Sequence, residues 1–478
     1  MDLIIEKSPI KPTQQTLEGD IAILGGGPGG YVAALQGAKM GATVILIEED
    51  KVGGTCLNRG CIPTKALVRS AEIYHNITNA EQYGLAVDQV SVNMEKVIER
   101  KNNIVDQLVQ GIEFLLKKQK IIIQKGKGKL IDEHTIEVDN HTLVKAKNII
   151  IATGSKIAPP PFPIVHNNHI LTSDTALDLT ELPKHIVIVG GGIIGMEFAF
   201  IYAHFGVKIT VIEYMKDILS MLDTDVLREI SRAAKRQGIK IYTKSKVLEI
   251  QKGQEKNCIV RFEQKGKEKE IASDKVLIAV GRIPSYENIG LENINIKLNP
   301  HHPGIDVNSH MQTNIPHIYA IGDVTNIIQL AHVASYQGIV AIKNILGENK
   351  KANYTTVPSV IFTSPEIAVV GISEQEAKEK KIDILIGKFP FSANGKALTY
   401  GETRGFVKII KEKATGKIIG SSIIGPHASD LIAEVTLAIQ NGLTAEDIIE
   451  TIHAHPTTAE AIHEGVLSSE GGALHFAN

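Results

Sequence analysis

A short apolar stretch, a glycine-rich turn, a helical run and a second apolar stretch ending in an acid occur twice in this chain. The first copy is Asp20-Ile-Ala-Ile-Leu24, the turn Gly25-Gly-Gly-Pro-Gly-Gly30, the run Tyr31 to Met40, and Thr43 to Ile47 followed by Glu48. The second is His185 to Val189, the turn Gly190-Gly-Gly-Ile-Ile-Gly195, Met196 to Phe205, and Lys208 to Ile212 followed by Glu213. A period that switches from strand to helix and back predicts a βαβ unit with parallel strands. Each turn fits Gly-x-Gly-x-x-Gly, through Gly25, Gly27 and Gly30 in one copy and Gly190, Gly192 and Gly195 in the other. The first glycine makes the tight turn, the second lets a pyrophosphate reach the backbone, and the third lets helix and strand pack closely. The helix N-terminus then faces the phosphate charge. Glu48 and Glu213 stand at the same spacing past their turns, where a carboxylate accepts hydrogen bonds from a ribose diol. One such turn alone is a weak signal. Two in the same setting predict two dinucleotide sites. At the second, Glu213 repels a 2′-phosphate, and Tyr214 and Met215 bring no positive charge, so NAD is expected over NADP.

The remaining sequence bounds the class of protein. At 478 residues the chain has room for about three domains, and 43 % hydrophobic with 22 % charged residues is an ordinary globular balance. A formal net charge of -2 offers no broad basic field for nucleic acid or anionic lipid. No apolar run approaches the ~20 residues of a membrane helix. Ser91 to Lys120 reads as a long amphipathic helix. After Ala352, strand patterns at Phe406 to Lys411 and Lys417 to Ile424 mix with helices at Asp430 to Asn441 and Thr458 to Ser468. That stretch is expected to be an α+β domain. Met1 to Gly19 reads as a loosely ordered lead-in. It lacks the apolar core of a signal peptide and carries acids that a transit peptide avoids, so a cytoplasmic, reducing setting is expected.

In such a setting two close cysteines suggest redox work or metal binding more than a structural bridge. Cys56-Leu-Asn-Arg-Gly-Cys61 begins soon after Glu48, close to the first nucleotide site. In an ideal helix five residues rise ~7.5 Å, whereas a disulfide wants Cα atoms ~4.4–6.8 Å apart. A bridge therefore requires a distorted turn, which Gly60 and Pro63 permit. A helix N-terminus there would also favour a thiolate. A zinc site needs about four ligands. The one further cysteine, Cys258, sits in an apparent strand and reads as structural, so no metal is expected.

Gly53-Gly-Thr-Cys-Leu-Asn-Arg-Gly-Cys-Ile-Pro-Thr-Lys65 resembles the redox signature of the flavin disulfide reductases, and the resemblance runs from about Asp20 to the C-terminus. It implies an α/β fold with two Rossmann-like dinucleotide-binding domains and a C-terminal α+β dimerisation domain. FAD would lie in residues 1–157 and 282–351, NAD in 158–281, and a homodimer would form through 352–478. It implies that Cys61 is the thiol next to the flavin and Cys56 the outer thiol. Lys65 would lie by the flavin ring and pair with Glu197 on the NAD side. Gly126-Lys-Gly128 resembles an adenine-side loop, and Thr153-Gly154-Ser155 a chain crossing at the FAD site. Ile321-Gly322-Asp323 resembles the segment whose acid binds the ribityl chain, and Leu330-Ala331-His332 would follow the flavin. Gly281 would close the NAD unit. Gln337 stands where relatives often carry an acid, which bears on hydrogen bonding near the flavin.

His453-Ala-His455-Pro-Thr-Thr-Ala-Glu460 resembles the C-terminal motif of the same family. The match implies that His455 is the acid/base and Glu460 orients it, with His453 and His463 as rivals. Thiol exchange needs such a group, since a dithiol must lose a proton to attack. The family match also implies that this histidine reaches the cysteines of the other subunit. Within the family the motif is nearest to members that oxidise dihydrolipoamide on a lipoyl-bearing protein domain. The extra C-terminal cysteine pair of mercuric reductases is absent. The alternatives are an NAD(P)H-dependent reductase of another small disulfide, and a sensor that holds FAD and NAD without turnover.

Overall fold

The computed structural model describes residues 15–165, 168–253 and 257–477. These fall into two compact units.

The first unit takes the described part of Met1–Pro63 with Asn102–Ile157 and Arg282–Ala352. Its sheet runs in the order Ile122–Lys125, Val44–Glu48, Gln15–Leu24, Thr142–Ile151, Thr135–Val138, Gly128–Asp132. Ile318–Ala320 pairs with the end of Thr142–Ile151. Ile21 to Leu24, Val44 to Ile47 and Ile149 to Ile151 are buried throughout. That is the demand on a parallel sheet covered on both faces. Helices Pro28–Lys39 and Ala331–Ile345 pack closely, for a Cβ at Gly338 would stand 2.7 Å from the Gly29 carbonyl oxygen.

The first strand starts at Gln15, not Asp20, and Gln15 to Gly19 pair in register with Thr142 to Ala146. This outer end is largely exposed and shows no apolar alternation. Pairing with a neighbour, which periodicity does not report, makes it a strand. The earlier part of the lead-in, residues 1–14, lies outside the described residues.

The second unit takes Thr64–Lys101, Ala158–Gly281 and the described part of Asn353–Asn478. A parallel sheet runs Lys240–Tyr242, Lys208–Ile212, His185–Val189, Lys275–Ile278, Ile170–Leu171. A three-stranded antiparallel arm, Ser245–Lys252, Cys258–Gln264 and Lys267–Ser273, is inserted between its strands Lys240–Tyr242 and Lys275–Ile278. Cys258 is fully buried there. The C-terminal sheet is antiparallel, in the order Ser359–Ile361, Glu366–Gly371, Ile418–Gly425, Phe406–Glu412, Ile384–Pro390. Helices Ala428–Asn441 and Glu460–Ser468 pack against this sheet. One core joins Phe198, Phe200 and Tyr202 to Leu67, Ala71, Ile361 and Phe406. At its edge the buried Lys408 ammonium meets Asp223 at 2.7 Å and Asp225 at 2.8 Å. Removing one partner of such a pair leaves a buried charge without compensation, so Lys408→Ala should cost about 3–5 kcal/mol in chemical denaturation.

His204 ends the helix Ile193–His204, and its ring stacks on His75 with centroids 4.3 Å apart and planes 14° apart. Its Nε2 is buried without a partner among the described residues. Burial first, then the neighbouring His75, pull the His204 pKa down to about 4. A histidine held neutral this way contributes stability that is complete above its ordinary value of 6.5. That contribution is lost as the pH falls toward 4. Denaturation at pH 7.5 and at pH 5 should differ by roughly 2 kcal/mol from this residue alone. His204→Phe should flatten the difference; an unchanged pH dependence in that variant would contradict the assignment.

Candidate active site

The two glycine turns repeat each other in detail. Gly25 and Gly190 both have φ of +108°, and a Cβ on either would overlap a carbonyl oxygen, Ala152 or Ala279. A Cβ at Gly30 or Gly195 would overlap the carbonyl oxygen of Gly25 or Gly190. These four glycines are required by the protein itself. The middle glycines are not. At Gly192 an added Cβ meets nothing within 4 Å, and at Gly27 its nearest neighbour is Gly54 Cα at 3.9 Å. Open space over a backbone at a helix N-terminus is the cradle a pyrophosphate needs. Both turns therefore fit a dinucleotide.

The acids behave alike as well. Glu48 accepts from the Gly26 N–H at 2.6 Å and the Asp50 N–H at 2.8 Å. Glu213 accepts from the Gly191 N–H at 2.5 Å and the Met215 N–H at 2.6 Å. Burial pushes the Glu48 carboxyl up, and its two backbone donors offset this only in part.

The cysteine segment is tied to the first glycine turn. The Gly53 N–H donates to the Gly26 carbonyl at 2.8 Å. A Cβ on Gly54 would lie 2.7 Å from Gly27 Cα. Cys56 lies inside the short helix Gly54–Arg59, and Cys61 opens the long helix Cys61–Thr78. Gly60 breaks the two apart, as the expected distortion requires. Its hydrogen takes the place of a Cβ that would stand 3.2 Å from Cys56 Cα. The chain thus folds back on Cys56 one residue before Cys61. The phenol of Tyr31, in the glycine helix, is pushed up first by burial and then by Cys56.

Around the same unit, the Thr153 hydroxyl donates to the Ser285 carbonyl at 2.6 Å, and Gly154 holds φ of +68°. The Ser155 hydroxyl donates to Asp323 at 2.6 Å, and Arg282 donates to the Ser155 hydroxyl at 2.8 Å. Burial raises the Asp323 carboxyl, with Ser155 and then Arg282 working against it. A buried carboxylate with accepting capacity to spare suits a polyol chain. Gln337 is fully buried, and its side-chain oxygen accepts from the Gly322 N–H at 2.6 Å, so the amide supplies an acceptor there without a charge. Ala331 is the first residue of the helix packed on the glycine helix. Gly128 opens a strand with no room for a Cβ beside Leu24, which accounts for the glycine by packing. Gly281 has φ of +117°, and its carbonyl accepts from the Ala158 N–H at 3.0 Å.

In the second unit the Lys65 ammonium bonds both Glu197 oxygens at 3.0 Å. Glu197 is buried and also accepts from the Phe362 N–H at 3.0 Å. Phe362 was not singled out from the sequence. It is 165 residues from Glu197, and a backbone donor leaves no residue-type signal. His455 Nδ1 meets the Glu460 carboxylate at 2.9 Å, and the other Glu460 oxygen accepts from the Thr457 N–H at 2.8 Å. Burial raises the Glu460 carboxyl, but Thr457 and His455 outweigh it and hold it low. The His455 side chain is 79 % exposed, and among the described residues its Nε2 has no partner. His453, by contrast, is bonded at both ring nitrogens, to the Thr451 carbonyl and to Glu434. His463 bonds the Ile449 carbonyl. No group of three or more His, Cys, Asp or Glu side chains among the described residues is arranged to hold a metal ion.

Residues 19–338 match the pyridine nucleotide-disulphide oxidoreductase family, and residues 357–466 match its dimerisation domain. The chain belongs to that family. Dihydrolipoyl dehydrogenase of Chlamydia pneumoniae is 44 % identical over 464 residues, covering 96 % of this chain and 99 % of that protein. A dihydrolipoyl dehydrogenase of Bacillus subtilis is 44 % identical over 473 residues, with the same coverage. Among solved structures, the HOCl-induced flavoprotein disulfide reductase RclA of Escherichia coli aligns with a TM-score of 0.85 at 29 % identity. That alignment covers 95 % of this chain and 99 % of RclA. Membership in the pyridine nucleotide-disulphide oxidoreductase family brings FAD and NAD as cofactors, which the two glycine turns fit, and a dimerisation domain brings a homodimer. Among the described residues no helix is long and apolar enough to cross a membrane.

The unequal roles of the glycines can be tested in the NAD unit. Gly192→Ala should melt at the wild-type temperature yet bind NADH much more weakly in a fluorescence titration. Gly195→Ala, whose Cβ has no space, should lower the melting temperature sharply.

Proposed function

We infer that this protein oxidises dihydrolipoyl groups to lipoyl groups, as its dihydrolipoyl dehydrogenase relatives are named for doing, and that it reduces NAD in the process. The observation that carries the reading is the Cys56/Cys61 segment, folded back at Gly60 and bonded to the first glycine turn. When bound, FAD supplies two-electron chemistry between a dithiol and a nicotinamide. Gly25, Gly27, Gly30, Glu48, Thr153, Gly154, Ser155, Asp323, Gly128 and Ala331 are proposed to hold it, with Lys65 beside its ring system. Gly190, Gly192, Gly195, Glu197, Glu213 and Gly281 are proposed to serve NAD.

The thiol steps fall to this chain's own residues. A dihydrolipoyl thiol gives its proton to the partner subunit's His455 and attacks the Cys56 sulfur of the Cys56–Cys61 disulfide. That bond breaks, Cys61 leaves as a thiolate, and Cys56 is joined to the substrate. The protonated imidazole gives its proton to the departing Cys56 sulfur and takes that of the second substrate thiol, which attacks the substrate sulfur of the mixed disulfide and closes the lipoyl disulfide. Glu460 orients the imidazole through Nδ1 and favours its cation, which leaves Nε2 for the thiol. The exposure of His455 supports its serving a second copy rather than its own core. We propose a lipoyl-bearing protein domain as the substrate and the cytoplasm as the compartment, where a cysteine pair works by turnover.

The test is NADH formation from dihydrolipoamide, measured beside NADH oxidation by the disulfides of glutathione and coenzyme A. Rapid turnover only with dihydrolipoamide is expected; turnover only with another disulfide would assign a different substrate. Cys56→Ser should retain flavin and lose thiol turnover, and normal activity in it would refute the role of Cys56. His455→Gln should slow turnover about a hundredfold or more with NAD affinity unchanged; a change in NAD affinity alone would remove His455 from the thiol steps.

A further inference from the structure

We propose that Phe362 is a positioning residue that holds both members of the Lys65–Glu197 pair, its ring under the ammonium and its peptide N–H on the carboxylate. The proposal rests on the reading above that Lys65 lies beside the bound flavin.

Lys65 Nζ stands 4.3 Å from the centroid of the Phe362 ring. The Phe362 N–H donates to Glu197 Oε1 at 3.0 Å, the same oxygen that accepts from Lys65. Each contact answers a separate physical need. A lysine side chain has several rotatable bonds and a strong pull toward water, so one carboxylate alone leaves it free to swing outward. An aromatic face adds a second attraction that fixes the direction of approach. The Glu197 side chain is only 7 % exposed. A buried carboxylate requires more than one donor, and the peptide N–H supplies the second.

Phe362 is itself held in place. It follows the strand Ser359–Ile361, whose pairing with Glu366–Gly371 fixes the backbone. Phe362 lines a small cavity with Val68, Ala71, Phe200 and Ile201. Two of these wall residues come from the helix that carries Lys65, and two from the helix that carries Glu197. One residue therefore fixes the pair from between the two helices that bear it.

The N–H and the ring can be separated by substitution. Leu at this position retains the N–H and most of the bulk but has no aromatic face, whereas Tyr retains both. The holoproteins Phe362→Leu, Phe362→Tyr and Lys65→Ala are compared by the midpoint potential of the bound flavin and by melting temperature. Lys65→Ala is expected to move the potential. Phe362→Leu should move it in the same direction and part of the way, with kcat/KM down about two- to fivefold. Phe362→Tyr should restore the wild-type potential. If Phe362→Leu does not fold, Phe362→Met is read in its place. A wild-type potential in the Leu or Met variant, beside a shifted Lys65→Ala, would overturn the role of Phe362. An unshifted Lys65→Ala would instead remove the placement of Lys65 on which the proposal stands.

Discussion

Between Gly25 and Gly30 two stretches of backbone come so close that no side chain fits, and the chemistry of the first unit is built on that approach. The turn it creates gives Gly26 and Gly27 separate work to do. The Gly26 N–H is taken by Glu48, and the Gly26 carbonyl by the Gly53 N–H. Gly27 stays open on one side and touches Gly54 on the other. A nucleotide cradle and the start of the cysteine segment are therefore parts of a single backbone arrangement. The placement of the cysteine segment against the glycine turn is set by a main-chain hydrogen bond rather than by flexible side chains, which suits a site where position decides rate.

The ionisable groups follow a common rule. Glu48, Glu213, Glu197 and Glu460 each have at least two donors and Asp323 has the Ser155 hydroxyl, and the balance against burial differs by site. Glu48 and Asp323 are raised despite their donors, whereas Glu460, nearer the surface, is held low. The low carboxyl of Glu460 keeps a negative charge beside His455, which suits the cation of the thiol steps proposed above. Lys65 and Cys61 share one helix, a turn apart.

Much of this was legible in the sequence, for definite reasons. The glycine turns could be read because sterics allow nothing else at Gly25 and Gly30, and the repeat put the second site at Gly190 to Gly195. The buried strands were legible because a parallel sheet wants unbroken apolar runs such as His185 to Val189. The break at Gly60 followed from disulfide geometry set against the rise of a helix. What the sequence withheld depends on contacts without a pattern. Gln15 to Gly19 form a strand because Thr142 to Ala146 lie beside them. His204 sits on an apolar helix, yet nothing in its spacing announces His75 as its stacking partner. Gln337 stood out only as a departure, and its contact with Gly322 shows that an amide oxygen serves where an acceptor is needed. Phe362 acts partly through a peptide N–H, which every residue but proline possesses.

The central claim is that a sulfur pair stands between the flavin and the outside thiol. It is tested most directly by reducing the holoprotein with NADH without oxygen, alkylating it, and locating the new label by mass spectrometry. Label appearing together on Cys56 and Cys61, and absent from both in the oxidised protein, is the predicted result. Flavin that bleaches while both cysteines remain as they were in the oxidised protein would contradict the account.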